Sequence, residues 1–188
     1  MKHIKSRKLF EEVNRYGVWY HGSSVPITKF EYQEKVDKYR YDQNGPGFYL
    51  TNNIDDAYKY GKYIHEITFK RKPVQPYKNI RNLGKNIGTR VFLENLIKMN
   101  PNYEHILTNW DENPKKALNF AANSLIENNE NCVELLLSLW YDFFYYEPKL
   151  FIKIMVEQVG FDGFERKQNE TDKHFILWNS DIINIKIV

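Results

Sequence analysis

An α+β fold is predicted by two kinds of periodicity in the 188-residue sequence and by the order in which they occur. Short runs that alternate with the strand period of two stand at both ends, and a long middle stretch carries the 3.6-residue helical period. No internal repeat or low-complexity linker separates them. The terminal runs must therefore meet in space as one sheet, with the middle, about Gly88 to Val159, inserted as a helical lobe. The length suits one domain over 1–188, and 42% hydrophobic residues are enough for one closed core.

The elements follow in chain order. Ser6 to Tyr16 places Leu9, Phe10, Val13 and Tyr16 on one helical face and stops at Gly17. VWYHG then reads as a strand that ends in the small residues Ser23 and Ser24. After a polar stretch from Glu31 to Asn44, GPGFYLT reads as a second strand launched from a glycine-rich turn. A short helix follows it. Asn53 caps that helix, Asp55 and Asp56 suit its positive N-terminal end, and Gly61 closes it after Tyr58 and Tyr60. IHEITF alternates as a third strand, and KRKPVQPYKNIR continues as a proline-broken edge or loop.

In the middle, helices are expected over Val91–Met99, Pro114–Ile126, Cys132–Phe144 and Pro148–Val159, with Pro114 and Pro148 in first turns and Gly160 as the final stop. FDGFER, HFILW and IINIKI supply three closing strands, and QNETDK makes a hairpin turn between the first two.

Composition excludes several classes. No stretch approaches the roughly 18–20 apolar residues of a membrane span, and MKHIKSRKLFEEVNRYG lacks the apolar middle of a signal peptide, so a cytoplasmic protein without a membrane partner is expected. The single Cys132, set in CVELLLSLW, cannot form an internal disulfide and reads as core. A net charge of +3 is too small to argue for nucleic-acid binding. The 16% aromatic content reads as a Tyr- and Phe-rich core and rim. His3, His65 and His105 have no metal-ligand spacing.

Three motifs in order carry the chemistry: WYHGSS, then GPGFYLT with a tyrosine-bearing helix, then FDGF with HFILWNSDI. Together, over about residues 18–69 and 160–187, they resemble the ADP-ribosyltransferase superfamily in its His-Tyr-Glu branch. The helical middle makes the chain look most like the small phage anti-CRISPR ADP-ribosyltransferases. The resemblance implies a split β-sheet core and NAD as co-substrate. It matches His21 to the residue that binds the adenosine ribose and Gly22 to the one whose backbone contacts the nicotinamide amide, with Ser23 beside them. An imidazole can donate to and accept from a vicinal diol, and glycine admits a close planar ligand. Tyr49, on its strand, and Tyr60, eleven residues on, match the pair that holds the nicotinamide ring. The same residues also read without a ligand, His21 satisfying a strand end and the tyrosines filling a core. At Ala57 many relatives carry a serine.

The third motif departs from the family. Its strand begins with glutamate, which holds the nicotinamide ribose 2′-hydroxyl and stabilises the charge that develops as the glycosidic bond breaks; here His174 stands in that place. A carboxylate has to come from nearby, and the candidates are Asp172, two residues before His174, Glu170 in the turn, and Glu165 on the preceding strand.

The implied activity is mono-ADP-ribosyl transfer to a macromolecule, a protein in preference to a nucleic acid, as a phage or bacterial effector would perform it. The alternatives are a catalytically silent module that acts by occupying a partner, an NAD glycohydrolase, and, last, an RNA 2′-phosphotransferase. The basic run KRKPVQPYKNIR reads either as a dock for an acidic partner or RNA, or as lysines guarding a sheet edge.

Overall fold

Alternation, turn chemistry and helical period produce two compact units. The computed structural model describes residues 16–31, 45–84 and 87–188. The first unit comprises the described residues of 16–31, 47–75 and 159–188, and the second those of 45–46 and 76–158. The helix expected over Ser6–Tyr16 lies outside the described residues except for Tyr16, as does the polar stretch after Glu31.

In the first unit the expected strands appear as β1 (Val18–Ser23), β2 (Phe48–Thr51), β3 (Tyr63–Phe69), β4 (Gly163–Lys167), β5 (Lys173–Leu177) and β6 (Ile183–Ile187), with helix α1 (Ile54–Ala57) between β2 and β3. They form one six-stranded antiparallel sheet in the order β4-β5-β2-β1-β3-β6. Its centre is thin. β1 meets β2 through the single register pair Tyr20–Thr51, whereas β1 and β3 pair along all six residues from Val18 to Ser23. The sheet is continuous yet nearly divided into two three-stranded halves.

One face carries a core to which both chain-terminal segments contribute. Trp19, Leu50, Ile67, Phe69, Phe175, Leu177 and Ile183 are buried there with Phe30 and Ile182. Trp19 sets its ring edge-on to Phe69 and Phe175, with centroids 6.5 and 5.7 Å away. Burying side chains of this size contributes about 1.5–3 kcal/mol each.

The FDGF segment has a second, polar function. Asp162 is buried, and its carboxylate accepts from Arg71 Nη1 (2.6 Å) and Nη2 (2.9 Å), from the Val74 amide (2.7 Å) and from Asn179 Nδ2 (2.8 Å). The Arg71 guanidinium, held by this carboxylate, is raised further above its already high pKa. The basic run therefore does not guard a sheet edge. β3 ends at Phe69, the edges are β4 and β6, and the prolines at 73 and 76 lie in a loop that precedes a 3₁₀ turn, Ile80–Asn82.

The second unit holds α2 (Thr89–Lys98), α3 (Tyr103–Leu107), α4 (Pro114–Glu127), α5 (Cys132–Leu139) and α6 (Pro148–Lys153). Helix α3 has no counterpart among the expected elements, because five residues are too few to show a period and only Leu107 is buried. The expected helices 132–144 and 148–159 are each α-helical first and then π-helical, over Trp140–Phe144 and Ile154–Val159. Leu93, Leu96 and Ile97 of α2, Ala117, Ala121 and Leu125 of α4, and Leu135, Leu136 and Leu139 of α5 are buried. Cys132 is buried with them, and desolvation pushes its thiol pKa up, as expected of a packing residue. Buried Asn100 donates from its side-chain amide to the Phe143 carbonyl, one of the acceptors that a helix end leaves unpaired, and accepts from the Asn102 amide (2.7 Å). No helix among the described residues is long and apolar enough to cross a membrane.

Candidate functional site

The site is built where β1 and β2 meet. His21 follows Trp19 on the core face of β1, half-buried, with its ring edge-on to Phe30 (5.0 Å) and 6.1 Å from that of His65. Its Nδ1 donates to the Tyr49 carbonyl (2.9 Å). Nε2 is thus the acceptor nitrogen of the neutral ring. Burial lowers the His21 pKa below its ordinary value, against the Tyr49 carbonyl, which raises it, and with a smaller contribution from His65 in the lowering direction. The neighbouring His65 is fully buried. It accepts the Ile27 amide at Nε2 (2.8 Å) and donates from Nδ1 to the His21 carbonyl (3.1 Å), so it fixes the strand and the loop after it.

Gly22 faces the other way, and its place explains why it is glycine. A Cβ there would lie 1.9 Å from the Ala57 carbonyl oxygen. A Cβ on Gly61 would in turn lie 2.1 Å from the Ser23 carbonyl. Two backbones cross at contact, and neither strand nor turn has room for a side chain. The absence of a side chain at Gly22 is thus already required by α1, before any ligand is considered. Ser23 ends β1 at this crossing.

Asn53 caps α1 as the sequence suggests, accepting from the Asp55 amide (3.0 Å), and a 3₁₀ turn, Tyr58–Tyr60, runs on to Gly61. Tyr60 is 64% exposed, so its ring is open to a ligand. Strand alternation puts Tyr49 and Thr51 on the face that α1 covers, opposite Phe48 and Leu50. Tyr49, Gly22 and the segment ending in Tyr60 therefore share one face, and His21 belongs to the other. The sheet thus separates His21 from the other residues that the resemblance matches to NAD, because strand alternation turns it with Trp19 towards Phe30.

The three candidate carboxylates are brought to one hairpin but hold different tasks. Asp172 accepts from Asn169 Nδ2 (2.8 Å), Asn53 Nδ2 (3.3 Å) and Thr171 Oγ1 (3.4 Å), and these bonds, Asn169 foremost, hold its pKa below the usual carboxylate value. It closes the turn and staples it to the cap of α1. Glu170 is exposed at the tip. Glu165 pairs with Lys173 Nζ (3.0 Å) across β4 and β5.

The carboxylate that actually meets His174 is Asp56, which the sequence suggested only as a helix-entry charge. Asp56 Oδ2 lies 2.9 Å from His174 Nε2, and Oδ1 accepts from Lys59 Nζ (2.9 Å). The bond from Lys59 is the main cause that lowers the Asp56 pKa, with His174 adding to it against partial burial. The other ring nitrogen, Nδ1, lies 2.9 Å from Gln168 Nε2. The Asp56 and His174 side chains are only 16% and 11% exposed, whereas Gln168 is an exposed turn residue. No local signal in the sequence marks the pair, since Asp56 already reads as a helix-entry charge and lies 118 residues from His174.

The fold and this site define a mixed α/β protein with one six-stranded antiparallel sheet and several helices. No protein-family model matches the sequence, and no curated protein matches it. Among solved structures, the crystal structure of an anti-CRISPR protein is similar at a TM-score of 0.41 and 11% identity, over 91% of this chain and 94% of that one.

Proposed function

We propose that the chain is an NAD-dependent mono-ADP-ribosyltransferase with a macromolecular, protein acceptor. The observation that carries this reading is the convergence at the β1–β2 junction. Tyr49, the Gly22 crossing, exposed Tyr60 and the Asp56–His174 pair lie on one face, while His21 lies on the opposite face with Nε2 as its acceptor nitrogen. In this reading the nicotinamide ring lies between Tyr49 and Tyr60, and the chain of phosphates passes Ser23. The adenosine ribose donates a hydroxyl to His21 Nε2, which fits a ring whose Nδ1 proton is already committed to the Tyr49 carbonyl. Asp56, joined by Asp172 at greater remove, supplies negative charge where the family uses glutamate. Both are held ionised by the bonds they accept.

Calorimetric titration of the full chain with NAD tests the binding, and incubation with labelled NAD and a bacterial lysate tests the transfer. Tyr60→Ala removes one stacking face, worth about 0.5–1.5 kcal/mol, and should weaken NAD binding roughly two- to twelve-fold. His21→Ala should weaken it as well. One labelled band in the lysate would identify the acceptor. His174 in place of a glutamate favours a second reading, a silent module that occupies a partner through the same cleft. Binding of NAD without nicotinamide release or labelling would select it, and no binding at millimolar NAD would exclude the transferase.

A further inference from the structure

The Asp56–His174–Gln168 row has the form of an oriented base, and the chemistry at the strand head follows from which of its atoms are already committed. Both Asp56 oxygens are engaged, one by His174 Nε2 and one by Lys59 Nζ. The proton on Nε2 is fixed towards the carboxylate, so Nδ1 carries the lone pair. Among the described residues that lone pair meets the side-chain amide of Gln168, which is exposed on the hairpin. A carboxylate that pins one nitrogen of a histidine while the other faces a replaceable polar group is the arrangement by which a base takes a proton from an incoming nucleophile.

We propose that His174 Nδ1 is the general base that deprotonates the acceptor, that Asp56 is the residue that positions it, and that the acceptor is a hydroxyl side chain of a protein. This rests on the reading of the site as an NAD-cleaving one. The acceptor hydroxyl gives its proton to His174 Nδ1 as its oxygen forms a bond to C1′ of the nicotinamide ribose. The bond from C1′ to the nicotinamide nitrogen breaks, its electron pair leaves with the ring, and nicotinamide departs neutral. The proton stays on the imidazolium opposite Asp56 until water takes it. A carboxylate acceptor would have no proton to give and no use for this base.

The groups around the imidazole are Asp56 and Lys59 from α1 and its 3₁₀ extension, Asp172 and Gln168 from the hairpin, and Arg166, which stands across from His174 on β4; Thr51 is its neighbour on β2. Against that set, loss of the base should change how the rate depends on pH and on the nucleophile, which loss of a purely structural contact would not.

The test measures nicotinamide release from NAD by the full chain in water, in methanol as a small hydroxyl acceptor, and with azide, an anion that needs no deprotonation. In His174→Gln the reactions with water and methanol should fall by roughly a hundred- to ten-thousand-fold, and azide should restore release. The limb of the wild-type profile that rises with pH by one proton should vanish in the same variant. Asp56→Asn should lower the methanol reaction at least about ten-fold and also respond to azide. Rescue by azide shows that the variants are folded. Equal losses with methanol and azide, or an acid limb that persists in His174→Gln, would overturn the base while leaving the NAD-cleaving site intact. Absence of nicotinamide release by the wild type with every nucleophile would overturn that site, and the base with it.

Discussion

Alanine at Gly22 places two opposing effects on one atom, and their magnitudes decide the outcome. Gly22 is an ordinary strand residue without a positive φ, so on backbone grounds alone Gly22→Ala should stabilise the chain by about 0.4–1 kcal/mol by restricting the unfolded state. The added Cβ, however, would stand 1.9 Å from the Ala57 oxygen, 2.9 Å from its carbonyl carbon and 3.3 Å from the Gly61 amide nitrogen. All three are backbone atoms, so relief requires α1 to move off β1 by about 1 Å, and overpacking of this kind costs about 1–3 kcal/mol. The net expectation is a loss of about 1–2 kcal/mol, which for a chain of this length lowers Tm by about 2–8 °C. Gly61→Ala meets the Ser23 backbone at the same crossing and should behave alike. Because one displacement of α1 relieves both clashes, the double variant should lose less than the two single losses combined. Thermal unfolding followed by circular dichroism measures all three. A Tm for Gly22→Ala equal to or above that of the wild type would refute the backbone crossing, and strict additivity would refute its being shared.

Three further outcomes follow from the described geometry. Asp162→Ala leaves Arg71, the Val74 amide and Asn179 without their common acceptor, and urea denaturation should show a loss of about 3–5 kcal/mol; a loss below 1 kcal/mol would mean that the loop reaches other acceptors. Asn100→Ala uncovers the Phe143 carbonyl inside the second unit and should cost about 1–3 kcal/mol by the same measurement, with no change in any activity per folded molecule. His21 is held neutral chiefly by burial, so its folded pKa lies below the unfolded 6.5, and the unfolded chain binds the extra proton first. Its contribution to stability is present above pH 6.5 and is lost as pH falls from there through the lowered folded pKa. Tm measured against pH should therefore slope downward on the acid side of 6.5 in the wild type and less steeply in His21→Gln.

Much of this arrangement was legible from local chemistry, and what was not is long-range. Asn53 before two acids and Gly61 after Tyr60 announce α1 because capping and termination are decided within a turn. The alternation in IHEITF gives β3, whereas HFILW gives β5 as a short continuous apolar run that is buried on both faces. Nothing in either strand encodes the single-pair seam between β1 and β2. The short α3 and the π segments ending the helices of 132–144 and 148–159 escape a period search, since one is too brief and the others shift the period by a fraction of a residue per turn.

The carboxylates show the same division more sharply. Asp172, two residues from His174, was the natural acid by strand spacing, yet its neighbours Asn169 and Thr171 are turn formers, and local bonding claims it before the site can. Asp56 is 118 residues from His174 in sequence, and its position at the start of a helix already had a sufficient local explanation. What brings it to the imidazole is the sheet order, which sets β5 beside β2 and so places the strand head next to the helix that β2 feeds. The residue with the adequate local explanation is thus the one free to take a distant task, because the N-terminal charge of α1 is equally served by Asp55. Replacing Asp55 by asparagine should accordingly cost only the few tenths of a kcal/mol of a helix-end charge, about 0.3–1 kcal/mol, and leave the His174 chemistry unchanged, while Asp56→Asn should disturb both. Equal effects from the two substitutions on nicotinamide release would show that total charge at the helix start, and not the bond to His174, is what the site uses.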